Sequence, residues 1–203
     1  LRLPGRELVV ITTPNDSHYS YAKAALLAGK HVVIDKPFTI TSADALDLLE
    51  TARQVNKVIS VYQNRRYVTD FCTIEEILHK KLLGDVHTYE ANYPRYRPEE
   101  RPDAWREKAA PGTGILYDLG AHIIDQALYL FGIPKYIFAD VRMQRPHASA
   151  DDYFLVMLDH GFTQVSLKAG MLVREPGPRY MLHGTLGSFI KYGTDPQEVF
   201  LRD

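Results

Sequence analysis

Between residues 7 and 64, short apolar runs alternate with amphipathic stretches, and this alternation limits the fold more than any other feature of the chain. "ELVVITTPN" (7–15) is an apolar run closed by Pro and Asn, and "HVVID" (31–35) and "VISVYQN" (58–64) repeat the strand signal. Between them lie two helical patterns. In "SHYSYAKAALLAGK", Tyr21, Ala24, Ala25 and Ala28 fall at helical spacing and Gly29 is the stop. In "TSADALDLLETARQVN", Thr41 or Ser42 can cap the helix, and Ala45, Leu48, Leu49 and Ala52 share a face. Strands joined by helical crossovers run parallel. The pattern predicts α/β architecture: part of a doubly wound, Rossmann-type parallel sheet.

After Arg66 the pattern changes. "TDFCTIEEILHKKLLG" reads as one more amphipathic helix, "DVHTYEANYPRY" as an alternating strand, and 97–114 as a loop rich in Pro, Arg and Gly. A helix is expected from Tyr117 to Phe131, ending before Gly132 and Pro134, and then come five strand-like segments between 135 and 193. Strands in succession predict a large, mostly antiparallel open sheet, here packed on helices in an α+β domain. We divide the chain into 1–66, the second half of a nucleotide-binding Rossmann domain, and 67–203, an α+β domain.

Ligands of an open parallel sheet bind beyond the carboxyl ends of its strands, which here are "TTPN", "DKP" and "QNRR". The G-x-G-x-x-G turn that cradles a dinucleotide pyrophosphate is not in the sequence, and "GTGILYDLG" (112–120) has the wrong spacing for it. With Leu1 in place of an initiator methionine, this predicts that the first half of the nucleotide domain lies outside the chain. These 203 residues would then hold a dinucleotide weakly or not at all.

Lys plus Arg number 24 against 25 for Asp plus Glu, so there is no bulk attraction for nucleic acid or an anionic membrane. Arg65, Arg66, Arg95, Arg97 and Arg101, interleaved with Tyr93 and Tyr96, could bind a polyol or sugar or stack on single-stranded nucleic acid, but Glu90, Glu99, Glu100 and Asp103 dilute that patch, and a solvated loop accounts for most of these arginines. The one cysteine, Cys72, suits a reducing compartment, and the expected location is the cytoplasm.

Two constellations carry candidate chemistry. Lys36 stands between Asp35 and Pro37 at a strand end, where burial or neighbouring charge can tune an amine, although spacing alone fits a surface lysine better. Asp118, His122 and Asp125 lie at i, i+4 and i+7, on one face of the expected helix. The helix N-terminus favours an anionic Asp118, and His122 can exchange a proton near neutral pH. A capped helix with a satisfied histidine meets the same spacing. A zinc site lacks a convincing third ligand, and no metal is expected.

The stretches "TTPNDSHYSYAKAALLAGKHVVIDKP" (12–37), "NRRY" (64–67), "DAWRE" (103–107) and "GTGILYDLGAHIIDQALYLFG" (112–132) resemble the Gfo/Idh/MocA oxidoreductases, the family of glucose-fructose oxidoreductase and inositol dehydrogenase. The family's usual E-K-P stands here as Asp35-Lys36-Pro37, and its Gly-Gly-Gly as Gly112-Thr113-Gly114. The resemblance implies an NAD- or NADP-dependent dehydrogenase acting on a sugar or polyol, with no role for nucleic acid or membrane. Lys36, Asp118 and His122 become catalytic and substrate-binding residues, Asp125 an orienting partner, and Arg66 a further substrate contact. Thr13, Pro14, Asn15, His18, Asp35, Lys36, Pro37, Asn64, Trp105 and Arg106 become cofactor-side residues. Asn15-Asp16-Ser17 is also an ordinary turn and helix cap, and Trp105 could simply anchor its loop. The family implies that 67–203 is a substrate-binding and oligomerisation domain incomplete at its C-terminus, with a homodimer or homotetramer built on its sheet. A catalytically silent cofactor or sugar sensor of the same fold is the rival reading, and a pure assembly module a third. A sensor needs no proton route, so Lys36, Asp118 and His122 together favour the enzyme.

Overall fold

The computed structural model describes residues 5–101 and 103–195, which form two units. The first comprises Leu1–Gln63 with Ala110–Gly112, and the second Asn64–Ala109 with Thr113–Asp203. The contacts therefore place the division at residue 63, three before the expected boundary, and return a piece of the long loop to the first unit.

In the first unit, β1 (Leu8–Ile11), β2 (His31–Asp35) and β3 (Ile59–Tyr62) pair in parallel in that order. α1 (His18–Leu27) and α2 (Ser42–Gln54) are the crossovers. Three strands laid down in sequence by right-handed crossovers put both helices on one face. Ala22, Ala25 and Leu26 of α1 and Leu48 and Ala52 of α2 share one core with Ile11, Val32 and Ile34. Leu8 and Val10 on the opposite face are exposed, so β1 is not the fully buried strand its composition suggests. The helix faces are also rotated from expectation. Tyr21, Ala24, Ala28 and Leu49 are exposed, whereas His18 and Thr51 are buried. Thr41 caps α2, accepting from the Asp44 N–H at 3.1 Å.

The second unit begins with a 3₁₀ turn, Asn64–Tyr67, followed by α3 (Thr69–His79) and β4 (Val86–Pro94). The expected helix 117–131 is two pieces: a π-helical turn at Leu116–Gly120 and then α4, Ala121–Phe131. β5 (Tyr136–Arg142), β6 (Tyr153–Asp159), β7 (Gln164–Gly170), β8 (Tyr180–Gly184) and β9 (Ser188–Lys191) complete the unit. They join β4 in a six-stranded sheet of order β5-β6-β7-β4-β8-β9, antiparallel except for the β4–β7 pair. Alternate residues of the central strands, among them Tyr89, Ala91, Phe154, Val156, Leu167 and Leu182, meet Ile123 and Ala127 of α4 and Ile74 of α3 in the core.

Candidate functional site

In the first unit the candidates gather at the carboxyl ends of the parallel strands, where such a sheet binds ligands. Thr12, Thr13 and Pro14 leave β1 as an exposed turn. β2 ends at Asp35, whose Oδ1 accepts from the Lys36 N–H at 2.8 Å. Lys36 is half-buried, Pro37 is buried, and the peptide between them is cis.

Two of the expected cofactor contacts turn inward. The His18 ring is 1% exposed, with Nδ1 2.8 Å from the Pro37 carbonyl oxygen and Nε2 2.9 Å from that of Thr13. Carbonyl oxygens only accept, so both contacts are hydrogen bonds only when both ring nitrogens carry protons. His18 thus braces the turn after β1 against the turn after β2. Asn15 is 7% exposed and its Nδ2 donates to the Gly112 carbonyl at 2.7 Å. Thr13, Pro14, Asp35 and Lys36 remain accessible at this edge. They fit the nicotinamide end of a dinucleotide, an amine and small polar groups at the end of a parallel sheet, but offer no pyrophosphate cradle.

In the second unit, Asp118 lies in the π turn. Arg95 Nη1 is 3.7 Å from its Oδ2 and Arg106 Nε is 3.5 Å from its Oδ1. Asp118 thus has two guanidinium groups as ion-pair partners in addition to the helix end invoked from sequence. His122 is 6% exposed in the first turn of α4. Because 116–120 is π-helical, the i, i+4 spacing of Asp118 and His122 spans a change of pitch, and one regular α-helical face no longer describes the trio. Asp125 departs further from expectation. Its two oxygens accept from Arg66 Nε and Nη2 at 2.7 and 2.6 Å, so it anchors Arg66 instead of orienting His122. The Arg66 guanidinium, also 4.6 Å from the Tyr129 ring centre, is held still more firmly protonated by that pair. Arg66 is a strut between the 3₁₀ turn and α4, with two of its nitrogens already committed, which weakens its case as a substrate contact. Asn64 is exposed in the same turn.

The loop carrying Trp105 and Arg106 is pinned by a network that sequence reasoning missed. Arg145 is 5% exposed, and its guanidinium reaches Asp152 Oδ2 and Glu107 Oε2, each at 2.9 Å. Glu107 also accepts from Arg101 Nε at 3.0 Å. Burial alone would raise the Glu107 pKa, but the hydrogen bonds from Arg101 and Arg145 outweigh it and hold the carboxyl below its usual range. Arg106 packs 4.4 Å from the Trp105 ring centre. No local pattern marks Arg145, since its partner Glu107 is 38 residues away.

The two surviving glycines of the Gly-Thr-Gly run have distinct reasons. Gly112 has φ +78°, and a Cβ there would lie 2.7 Å from Ile40 Cγ1. Gly114 has φ +86°, and a Cβ would collide with the Asp151 carboxylate. Asp151 Oδ2 accepts from the Leu116 N–H at 2.8 Å, capping the π turn. Burial raises its pKa, and the backbone N–H groups oppose the rise. Thr113 needs no such freedom and donates its hydroxyl to the Lys108 carbonyl at 2.8 Å. Among the described residues, no group of three or more His, Cys, Asp or Glu is placed to hold a metal ion. No described helix is long and apolar enough to cross a membrane.

Residues 71–190 match the GFO/IDH/MocA C-terminal domain, and 1–63 match the oxidoreductase family described as an NAD-binding Rossmann fold. Scyllo-inositol 2-dehydrogenase (NADP(+)) IolW of Bacillus subtilis is 48% identical over 199 residues, spanning 98% of this chain and 55% of IolW. The uncharacterized oxidoreductase YdgJ of Escherichia coli is 46% identical over 200 residues, spanning 98% of this chain and 58% of YdgJ. The solved structure of yvaA from Bacillus subtilis superposes with a TM-score of 0.92 at 47% identity, covering 98% of this chain and 56% of yvaA. The chain thus spans about half the length of the curated relatives it matches. With both halves matched in order, and with the parallel three-stranded and mixed six-stranded sheets to house them, the chain belongs to the Gfo/Idh/MocA oxidoreductase family.

Proposed function

We propose that the protein is an NAD(P)-dependent dehydrogenase that interconverts a hydroxyl and a carbonyl on a sugar or polyol. The observation that carries the reading is Lys36, a half-buried amine at the end of β2 in a unit matched to an NAD-binding fold. The bound nicotinamide would supply the hydride acceptor. In oxidation the substrate carbon releases a hydride to it, and the hydroxyl releases its proton to a protein base. Lys36 and His122 are assigned to that proton, and Asp118, paired with Arg95 and Arg106, to a substrate hydroxyl. Thr13, Pro14 and Asp35 line the cofactor's side of the reaction. His18 and Asn15 act through them, as braces. The name of IolW points to a cyclic polyol as the first substrate to try and to NADP as the first cofactor.

The test is transfer of label. Inositols deuterated at ring carbon are incubated with NAD⁺ or NADP⁺ and the intact protein, and the reduced cofactor is analysed by mass spectrometry. Deuterium on the nicotinamide ring is expected. Reduced cofactor without label, or none across inositols and aldoses, would contradict the reading.

A further inference from the structure

We propose that the second unit contains an anion-recognition pocket and that its ligand is an acidic polyol, a hydroxylated molecule bearing a carboxylate or phosphate. This deepens, and rests on, the reading of that unit as substrate-binding. A cavity of about 400 Å³ opens beside the end of β4, within the usual range of small-molecule sites. Arg65, Arg95, Arg97 and Arg179 line it together with Tyr93 and Tyr96. Among the described residues, no Asp or Glu is part of the lining. Two carboxylates outside the lining pair with its arginines: Asp118 is 3.7 Å from Arg95, and Asp70 is 3.5 Å from Arg179.

The arrangement is fixed from within. The Arg179 guanidinium lies 4.1 Å from the Tyr93 ring centre. The Tyr93 and Tyr180 hydroxyls are 3.0 Å apart, and the Tyr180 hydroxyl donates to Gln126 Oε1 at 3.0 Å. Gln126, fully buried, donates from Nε2 to the Arg65 carbonyl at 2.9 Å. A chain of interior hydrogen bonds thus ties the positions of two of the four arginines together. Planar guanidinium groups match carboxylate and phosphate oxygens pairwise, with charge-assisted hydrogen bonds that a hydroxyl does not make. A neutral polyol offers no group of that shape.

The test uses the intact native polypeptide. Calorimetry and NAD(P)H formation are measured with glucuronate, glucose 6-phosphate, glucose and myo-inositol. An acidic ligand is expected to bind at least tenfold more tightly than its neutral counterpart, with affinity falling as salt is added. The glucuronate and phosphate arms show which anionic group the pocket takes. Arg97→Gln, at an exposed position, and Arg65→Gln should each lower the acid-to-neutral affinity ratio at least tenfold. Equal affinity for acid and neutral ligands, or an unchanged ratio in both variants, overturns the pocket. Tight binding of the acid with no reduction of NAD(P)⁺ by any of the four compounds supports the pocket and counts against the dehydrogenase reading. Turnover of neutral polyols with no preference for acids sinks the pocket alone.

Discussion

Gly114 illustrates how one position can be readable while its reason is not. Glycines before an apolar helix announce a tight entry, but only the structure shows a positive φ and the Asp151 carboxylate occupying the space of a side chain. Gly114→Ala should cost about 1–2 kcal/mol for the left-handed backbone, plus whatever the displaced Asp151 adds. A urea midpoint equal to that of the parent would show that the turn tolerates a Cβ. Lys36 and Asp35 were legible because a strand end fixes where they stand. Asn15 and His18 were not, since polar residues after a strand look alike in sequence whether they point toward a ligand or back into the turn. The two buried contacts of His18 give an expectation of their own. His18→Ala should lower turnover and stability together, because it frees both strand-end turns, whereas a ligand contact would change cofactor affinity alone.

Strand and helix positions followed from periodicity, but the phase of the helices did not. On α1 the buried set is His18, Ala22, Ala25 and Leu26, a face that small and polar residues mark poorly. The helix after Gly114 shows the larger departure, since a π turn adds a residue per turn that no apolar pattern signals. That turn changes how Asp118 and His122 relate, and it left Asp125 to Arg66. Long-range ion pairs are the other blind spot. Arg145, with its side chain 3% exposed, joins the β5–β6 connection to the Trp105 loop. Arg145→Ala leaves the buried Asp152 without its cation and Glu107 with Arg101 alone, and should cost roughly 3–5 kcal/mol. Glu107 adds a pH dependence of known sign. Its folded pKa lies below the unfolded value of about 4.3, so its stabilisation is present above that value and is lost as pH falls through the folded pKa. Urea midpoints from pH 7 to pH 3 should fall less steeply below pH 4 for Glu107→Gln than for the parent. Parallel curves would remove Glu107 from the acid response.

The six-stranded sheet ends at β5, where Tyr136, Ile137 and Phe138 are 73, 68 and 59% exposed. Met157, which pairs with Phe138 across the β5–β6 ladder, is exposed as well. Contiguous apolar surface on a sheet marks an association face, so a dimer or tetramer through β5 and β6 is expected. Phe138→Lys should shift light scattering toward monomer, and an unchanged mass distribution would place any association elsewhere. The apolar alternation in this sheet was visible in the sequence, whereas the uncovered state of β5 on both faces was not. The proposed chemistry depends above all on Lys36. Turnover of the intact protein and of Lys36→Ala should be compared with NAD⁺ and NADP⁺ on the best substrate, with cofactor affinity measured alongside. A fall of about 10²-fold in kcat, with cofactor affinity little changed, is what a lost proton-transfer group produces. A variant that turns over at the parent rate would contradict the assignment of Lys36 and, with it, the proposed proton route.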